Sequence, residues 1–199
     1  PPFLPSNIRG SIQEYIRLVQ LHPNFRSFVF KRFVFNSGGA MTLPLFPLYF
    51  VRVIEASDAW IAAINTAATA TLVVGYFFWI SVSRRKNSRY ILLWSTLGMT
   101  MYPLVVSFLH QEWIIALLAG ISGIFSAGTS LVFFDEFLKT VPEEYGATFV
   151  SLGQSVEHFA LILSPLLASS LSLWIGIGPA LLVSGLVRLA GVLLFFLDK

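Results

Sequence analysis

The stretch from Trp113 to Phe134 reads WIIALLAGISGIFSAGTSLVFF and contains no charged residue. At 1.5 Å per residue, a helix over this stretch crosses the hydrocarbon core of a membrane, which is about 30 Å thick. Its apolar residues form a continuous run and do not alternate with polar ones, as they would in a membrane-spanning strand. The stretch therefore predicts a transmembrane helix.

The composition of the chain supports a membrane protein. Apolar residues make up 56% of the 199 residues, charged residues make up 12%, and the mean hydropathy is +0.76. A soluble domain carries about a quarter charged residues, so we expect most of this surface to face lipid. The absence of cysteine excludes disulfides, thiolate metal sites and a cysteine nucleophile.

Five further apolar segments accompany the first, separated by clusters of polar and turn-forming residues. The six predicted spans are Phe28–Val51, Asp58–Val82, Tyr90–Leu109, Trp113–Leu138, Gly146–Leu173 and Gly176–Leu197. They predict an all-α, polytopic helical bundle over residues 28–199.

Residues 1–27 are predicted to form a linker before the membrane domain. Within it, Ile8–Leu21 has helical apolar spacing and modest hydrophobicity, which is typical of a helix lying in the membrane interface. A surface helix packed on another domain has the same pattern. The chain opens on Pro1 without a Met, and we interpret this start as a cut point inside a longer protein.

The basic residues predict the orientation of the spans. Lys and Arg in short loops concentrate on the cytoplasmic side of membrane proteins. One side of this chain receives nearly all of them, whereas the other receives Arg52 alone. Both termini are therefore predicted to be cytoplasmic, in a plasma or inner cell membrane. The same bias explains the basic pI, so we expect no nucleic-acid partner.

Several short motifs resemble those of the major facilitator superfamily. Pro23–Arg26 followed by Phe28–Tyr49 is similar to the linker and seventh helix of these transporters. The basic stretch Arg84–Arg89 lies where the family has a loop motif between two helices. Val141–Gly146 resembles its Pro-x-x-Arg-Gly pattern, and Pro165–Leu167 resembles its Pro-Leu-x-Gly. In order and spacing, the chain resembles the C-terminal six-helix half of such a transporter.

The resemblance implies a function as well as a fold. It implies two inverted three-helix repeats that form half of a secondary active transporter, which moves a small solute by alternating access. The implied partners are the lipid bilayer, an N-terminal six-helix half and a small-molecule substrate. The loop Arg84–Arg89 keeps the basic residues of the family motif without its Asp or Gly. Two alternatives therefore stay open: a non-transporting membrane subunit or scaffold, and a half-sized transporter acting as a homodimer.

Ionisable residues inside a bilayer are costly and indicate functional sites. Glu157 and His158 in the fifth span and Arg188 in the sixth lie near the midplane, counted along their helices. Gln154 shares a helix face with Glu157 and His158, and the resemblance directs this face toward the transport path. The predicted substrate or proton path consists of Gln154, Glu157, His158, Asn36 and Asn65, the last two placed by position. The alternative for Glu157 is a buried ion pair with Arg188 that locks the last two helices together.

Charges of opposite sign occur near the predicted cytoplasmic loops. The residues of this hypothetical loop gate are Arg84, Arg85, Arg89, Asp135 and Glu136. Pairing between them would hold the loops together. Solvated surface charges, whose pairs contribute only ~0–1 kcal/mol each, are the other interpretation.

Nothing in the sequence predicts an enzyme. The motifs of zinc proteases, serine hydrolases and P-loop nucleotidases are absent. Glu157 and His158 are adjacent and diverge by about 100° on a helix, which makes a poor metal site. We therefore expect no catalytic residues, no metal and no cofactor.

Overall fold

The computed structural model describes residues 19–142 and 145–197, and every structural statement below concerns these two ranges. They form six long α-helices and contain no strand. The helices are α1 (Pro23–Arg52), α2 (Asp58–Ser83), α3 (Ser88–Val106), α4 (Glu112–Thr140), α5 (Gly146–Ile175) and α6 (Ile177–Leu197). The all-α prediction is confirmed over this part of the chain. The predicted interfacial helix at Ile8–Leu21 lies almost entirely outside the described residues.

Five helices are long and apolar enough to cross a membrane, namely α1, α2, α4, α5 and α6. They indicate an integral membrane protein. The remaining helix, α3, has 19 residues and falls outside this group; it carries Arg89 in its first turn and the polar residues Ser95, Thr96 and Thr100 in its interior. These three side chains are fully buried against neighbouring helices. Each hydroxyl donates a hydrogen bond to a backbone carbonyl of α3 itself, so no polar group is left unsatisfied.

The first helix begins earlier than the sequence predicted. α1 starts at Pro23, whereas the predicted span started at Phe28. Proline suits the first turn of a helix, because its missing N–H has no partner there in any case. The additional turn moves every residue of α1 deeper into the bundle than the predicted boundary implied.

The helices pack in two groups that meet in the middle. α1 contacts α5 and α6, α4 contacts α2 and α3, and α3 also contacts α6. α2 and α5 lie at the edges of the bundle. In the most apolar 18-residue stretch of each helix, 11% of the residues of α2 and 17% of those of α5 are buried, against 39% to 44% for α1, α4 and α6. Two of the membrane helices therefore expose most of their surface to lipid or to another protein.

Two apolar clusters form the core. The first lies toward the α2–α3 and α4–α5 loops, which we call the basic end because Arg84, Arg85 and Lys86 lie there. It is dominated by aromatic side chains, including Phe25, Phe28, Phe35, Trp79, Phe133, Phe137, Phe149 and Phe195. The second cluster lies toward the opposite end and contains smaller residues, such as Leu45, Ala119 and Ala180.

The backbones of α1 and α6 nearly touch. A Cβ atom at Gly38 would lie 2.5 Å from the backbone nitrogen of Arg188, and one at Gly191 would lie 2.6 Å from the backbone of Phe35. No real Cβ contact is that short, so only glycine fits at these two positions. Because Gly38 and Gly191 have no side chain, the backbones of α1 and α6 pack in direct contact.

A single residue, Gly176, joins α5 to α6. Its φ is 90° and its ψ is 164°, a conformation available only to glycine. The chain therefore reverses direction between these two helices without a loop.

Candidate functional site

Three charged side chains line the interior of the bundle, away from the ends of its helices. They are Arg32 on α1, Glu157 on α5 and Arg188 on α6. At 1.5 Å per residue, they lie about 14, 16 and 14 Å from the helix ends at the basic end. This depth is about half of a hydrocarbon core of about 30 Å.

Glu157 is held by α1. One oxygen, Oε2, lies 2.6 Å from Nη2 of Arg32. The other oxygen, Oε1, accepts a hydrogen bond of 2.9 Å from Nδ2 of Asn36. Arg32 and Asn36 are four residues apart and share one face of α1. Both carboxylate oxygens therefore have a partner, and the structure brings the predicted site residues Asn36 and Glu157 together.

Arg188 has different surroundings. Only 7% of this residue is exposed. Its guanidinium carbon lies 4.5 Å from the centre of the Phe35 ring, and its Nη2 lies 2.9 Å from the sulfur of Met99. Its Nε has no hydrogen-bond partner. Within the two described ranges, no carboxylate pairs with Arg188.

The hypothetical ion pair between Glu157 and Arg188 therefore does not form, and Arg32 takes its place. The reason lies in the packing. α5 packs mainly on α1 and makes fewer contacts with α6, although the two are neighbours in the chain. Counting residues along each helix did not give the direction in which each helix faces.

A cavity of about 340 Å³ connects these groups. α4 contributes three hydroxyl side chains to it, Ser126, Thr129 and Ser130, at helical spacing i, i+3 and i+4. Its complete lining is Arg32, Phe35, Asn36, Met99, Ser126, Thr129, Ser130, Phe133, Phe134, Glu157 and Arg188. A larger cavity of about 420 Å³, between α2, α3 and α4, is lined mainly by apolar and aromatic side chains. A third cavity of about 300 Å³, at the basic end, is lined in part by Lys86, Ser88 and Asp135. The cavity of about 340 Å³ brings polar groups together in the interior of the bundle, so it is the candidate site.

The other predicted path residues do not line this cavity. Gln154 and His158 are exposed on α5. Asn65 is exposed on α2, and its backbone carbonyl accepts a hydrogen bond from the hydroxyl of Thr69. Of the five predicted path residues, the structure brings two to the candidate site.

Sequence reasoning missed Arg32 and the hydroxyls of α4. Arg32 counted as a loop charge because the predicted span began at Phe28. Two signals point to it in retrospect: Pro23 as a helix start, and the spacing of four residues to Asn36. The signal for the hydroxyls is a polar stripe, formed by Ser126, Thr129 and Ser130 on an otherwise apolar helix.

Charged residues at the basic end form a separate cluster. The single hydroxyl hydrogen of Ser88 is shared between Asp135, at 3.1 Å, and Glu136, which lies closer. Lys139 pairs with Asp135 at 2.7 Å and with Glu136 at 2.9 Å. Both acidic residues of the hypothetical loop gate therefore contact the start of α3 through Ser88, and their basic partner is Lys139 of the same helix.

The arginines of the hypothetical gate lie nearby. Arg84 and Arg85 are exposed, and they form no ion pair within residues 19–142 and 145–197. The third, Arg89, is also exposed on the first turn of α3. The pairing of Arg84 and Arg85 with Asp135 and Glu136 that the gate hypothesis requires is absent from this part of the chain.

No group of three metal-ligating side chains comes together among the described residues. The candidate site is a cavity inside an apolar helical bundle, and its polar lining consists of two arginines, one glutamate, one amide and three hydroxyls. No family model matches the sequence, and a comparison with curated proteins gives no match.

Proposed function

We propose that this chain is half of a secondary active transporter that moves a small solute by alternating access. One observation carries the proposal: the 340 Å³ polar cavity lies about halfway through a bundle of membrane helices. Polar side chains at that depth must face protein or water, because lipid cannot satisfy them. Transporters bind solute and coupling ions at this level. In the proposed orientation, the basic end faces the cytoplasm.

The helix packing supports a proposed arrangement as two inverted three-helix repeats. The test is to relabel α1, α2 and α3 as α4, α5 and α6, and the reverse. The contact between α2 and α4 then becomes one between α5 and α1, which is also present. In the same exchange α3–α4 becomes α6–α1, and α3–α6 maps onto itself. A contact pattern that survives this exchange is expected of two repeats related by a two-fold axis.

The exposed helices support a proposed second body. α2 and α5 correspond under the exchange, and both are mostly unburied. Large apolar side chains lie exposed along them, including Phe77 and Phe78 on α2 and Leu166 and Leu167 on α5. We assign these faces in part to contact with an N-terminal six-helix half. A second copy of this chain would use the same faces in the homodimer alternative.

The hydrogen bonding of Glu157 favours the other alternative, a non-transporting subunit. Both of its oxygens are occupied, by Arg32 at 2.6 Å and Asn36 at 2.9 Å. A group held in this way works equally well as a permanent lock between α1 and α5. The two functions differ in whether the cavity is hydrated, since a transport path must admit water and solute, whereas a lock excludes both.

Thiol labelling tests the proposal directly, because the native chain has no cysteine. Ser130→Cys places a thiol in the cavity. Leu186→Cys is the control, since Leu186 is exposed on α6 and does not line the cavity. In membranes, a charged, membrane-impermeant thiol reagent should modify Ser130→Cys much faster than Leu186→Cys. Equal protection of both cysteines would indicate a dry cavity and support the scaffold.

A further inference from the structure

Arg188 is a buried cation that nothing in its surroundings neutralises. Arginine keeps its proton in proteins, so the charge is permanent. Its neighbours are the ring of Phe35 at 4.5 Å and the sulfur of Met99 at 2.9 Å, and neither carries a negative charge. Its Nε–H has no acceptor. Buried charges are normally paired, because leaving one unpaired destabilises the protein. The arrangement suggests that the partner of Arg188 comes from outside the chain.

The charges around the cavity point to the sign of that partner. Arg32 and Arg188 contribute two positive charges to the lining, and Glu157 contributes one negative charge. Glu157 is already engaged by Arg32 and Asn36. The excess positive charge therefore resides on Arg188. In a site of low dielectric constant, such a charge attracts an anion far more strongly than it would in water.

The shape around Arg188 fits a flat anionic group. A guanidinium presents N–H donors in a planar fork that matches the two oxygens of a carboxylate. Phe35 covers one face of this fork. Gly39 lies beside it without a side chain, and a Cβ there would be 3.4 Å from the guanidinium carbon. The face of the guanidinium toward Gly39 is therefore uncovered by a side chain, while Nη2 contacts the sulfur of Met99.

The opposite wall of the cavity offers acceptors. The hydroxyl of Thr129 donates to the carbonyl of Phe125, and that of Ser130 donates to the carbonyl of Ser126. With their hydrogens used inside α4, both oxygens can still accept hydrogen bonds from a ligand. A solute that fits this wall carries a hydroxyl or another donor. The volume of about 340 Å³ is near the small end of ligand pockets, which range from about 300 to 1,000 Å³.

We propose that the cavity binds a small organic carboxylate, with its anionic group on Arg188 and its donor groups toward Thr129 and Ser130. This inference rests on the proposed transport function and names the chemical class of its solute. It also gives Arg188 a role distinct from that of Arg32, which is neutralised within the protein by Glu157.

Thermal unfolding of the purified chain with defined probes tests the proposal. The probes are lactate and malate, their neutral amides lactamide and malamide, and inorganic phosphate, all at constant sodium concentration and ionic strength. The proteins are the native chain, Arg188→Gln and Arg84→Gln. The last is the matched control, because it removes one positive charge from the exposed loop.

At least one carboxylate should raise the melting temperature of the native chain and of Arg84→Gln. At ten times its dissociation constant, the expected shift is about 3–6 °C. The same carboxylate should give no shift with Arg188→Gln. Should Arg188→Gln not fold, Ser130→Phe provides the second test, since Ser130 is exposed and a phenylalanine there fills the cavity. Ser130→Phe should also abolish the shift.

Several results would overturn the carboxylate assignment. They are equal shifts from an amide and its acid, a shift from phosphate alone, and a carboxylate shift that persists in Arg188→Gln or Ser130→Phe. The absence of any carboxylate shift would also refute it. Rapid labelling of Ser130→Cys alongside such a failure would leave the transport proposal standing, so the two proposals fail separately.

Discussion

Helix α1 contacts α5 and α6 in different ways. Against α6 the backbones themselves come close at Gly38 and Gly191, beside side-chain contacts such as that of Arg188 with Phe35. Against α5 it is made by side chains, through the pair of Arg32 and Glu157 and the edge-to-face rings of Phe25 and Phe149 at 4.7 Å. The first contact has one possible geometry, because any displacement of the backbones brings side chains into them. The second consists of groups that can exchange partners.

The difference indicates which helix can move. Packed backbones behave as a rigid body, whereas a side-chain contact with a polar pair can open when water or a ligand replaces the partner. α5 is also among the least buried helices of the bundle. We therefore expect α1 and α6 to stay together while α5 changes its position relative to them.

Gly38→Ala should have the largest effect on stability, because it breaks the rigid contact. Its Cβ would lie 2.5 Å from the backbone nitrogen of Arg188, which cannot move away as a flexible side chain could. Overpacking of this kind costs about 3 kcal/mol. Gly146→Ala is the control, since its Cβ would meet nothing within 4 Å. Melting temperatures of the two variants measure the difference, and equal values would show that the α1–α6 contact is not close.

Glu157→Gln tests the polar contact and should have the next largest effect. It leaves Arg32 without its carboxylate. Breaking a fully buried pair costs about 3–5 kcal/mol and an exposed pair contributes ~0–1 kcal/mol, so this half-buried pair should lie between, at about 2 kcal/mol. Adding Arg32→Met should recover much of the loss.

The control is a double-mutant cycle that combines Glu157→Gln with Arg188→Met. Because Arg188 does not contact Glu157, the effects of these two substitutions on unfolding free energy should be nearly additive. Strong coupling to Arg188 together with none to Arg32 would reverse the assignment of partners.

Arg188→Met should change stability less, and in the opposite direction. Replacing a buried charge that lacks an ionic partner with an apolar side chain of similar volume is neutral or stabilising, here by about 1 kcal/mol. Arg32→Met alone should instead lower the melting temperature, because it leaves Glu157 without its basic partner. Denaturation of the two variants under one set of conditions makes the comparison. A large loss of stability in Arg188→Met would assign Arg188 to the structure of the bundle.

Ser88→Ala should have the smallest effect and provides a scale for the others. It removes the hydroxyl that contacts Asp135 and Glu136 at the surface. Exposed polar and ionic contacts contribute ~0–1 kcal/mol and are screened by salt. The melting temperature should fall by little at low salt and by less in 1 M salt. A loss as large as that of Glu157→Gln would mean that the surface cluster is as important as the interior pair.

The sequence predicted the number and order of the long helices because continuous apolar runs are a strong local signal. It did not predict where α1 begins, since the first turn contains Pro23, Asn24 and Arg26 and is not apolar. It also predicted α3 as an ordinary span. In the structure its polar residues Ser95, Thr96 and Thr100 are buried between helices and do not face lipid.

For the site, the sequence did not predict the direction in which the side chains face. Glu157 and Arg188 lie inside the bundle as expected, because their positions along helices follow from residue number. Their partners depend on how α5 turns toward α1, which is set by contacts between distant parts of the chain. The error with Arg32 has a local cause, since five residues of α1 were assigned to the linker. Gln154 and His158 share the helix of Glu157 but are exposed, and the sequence gave no sign of this.

The single-residue connection at Gly176 limits how α5 can move. With its last residue tied directly to α6, α5 cannot slide away from the bundle, and it can only swing like a lever about that end. Glu157 lies 19 residues from this pivot, and at 1.5 Å per residue the lever arm is about 28 Å. A swing of about 10° would carry Glu157 roughly 5 Å sideways, which far exceeds the reach of a hydrogen bond. A small rotation at one end of the membrane would thus separate Glu157 from Arg32 in the middle of it.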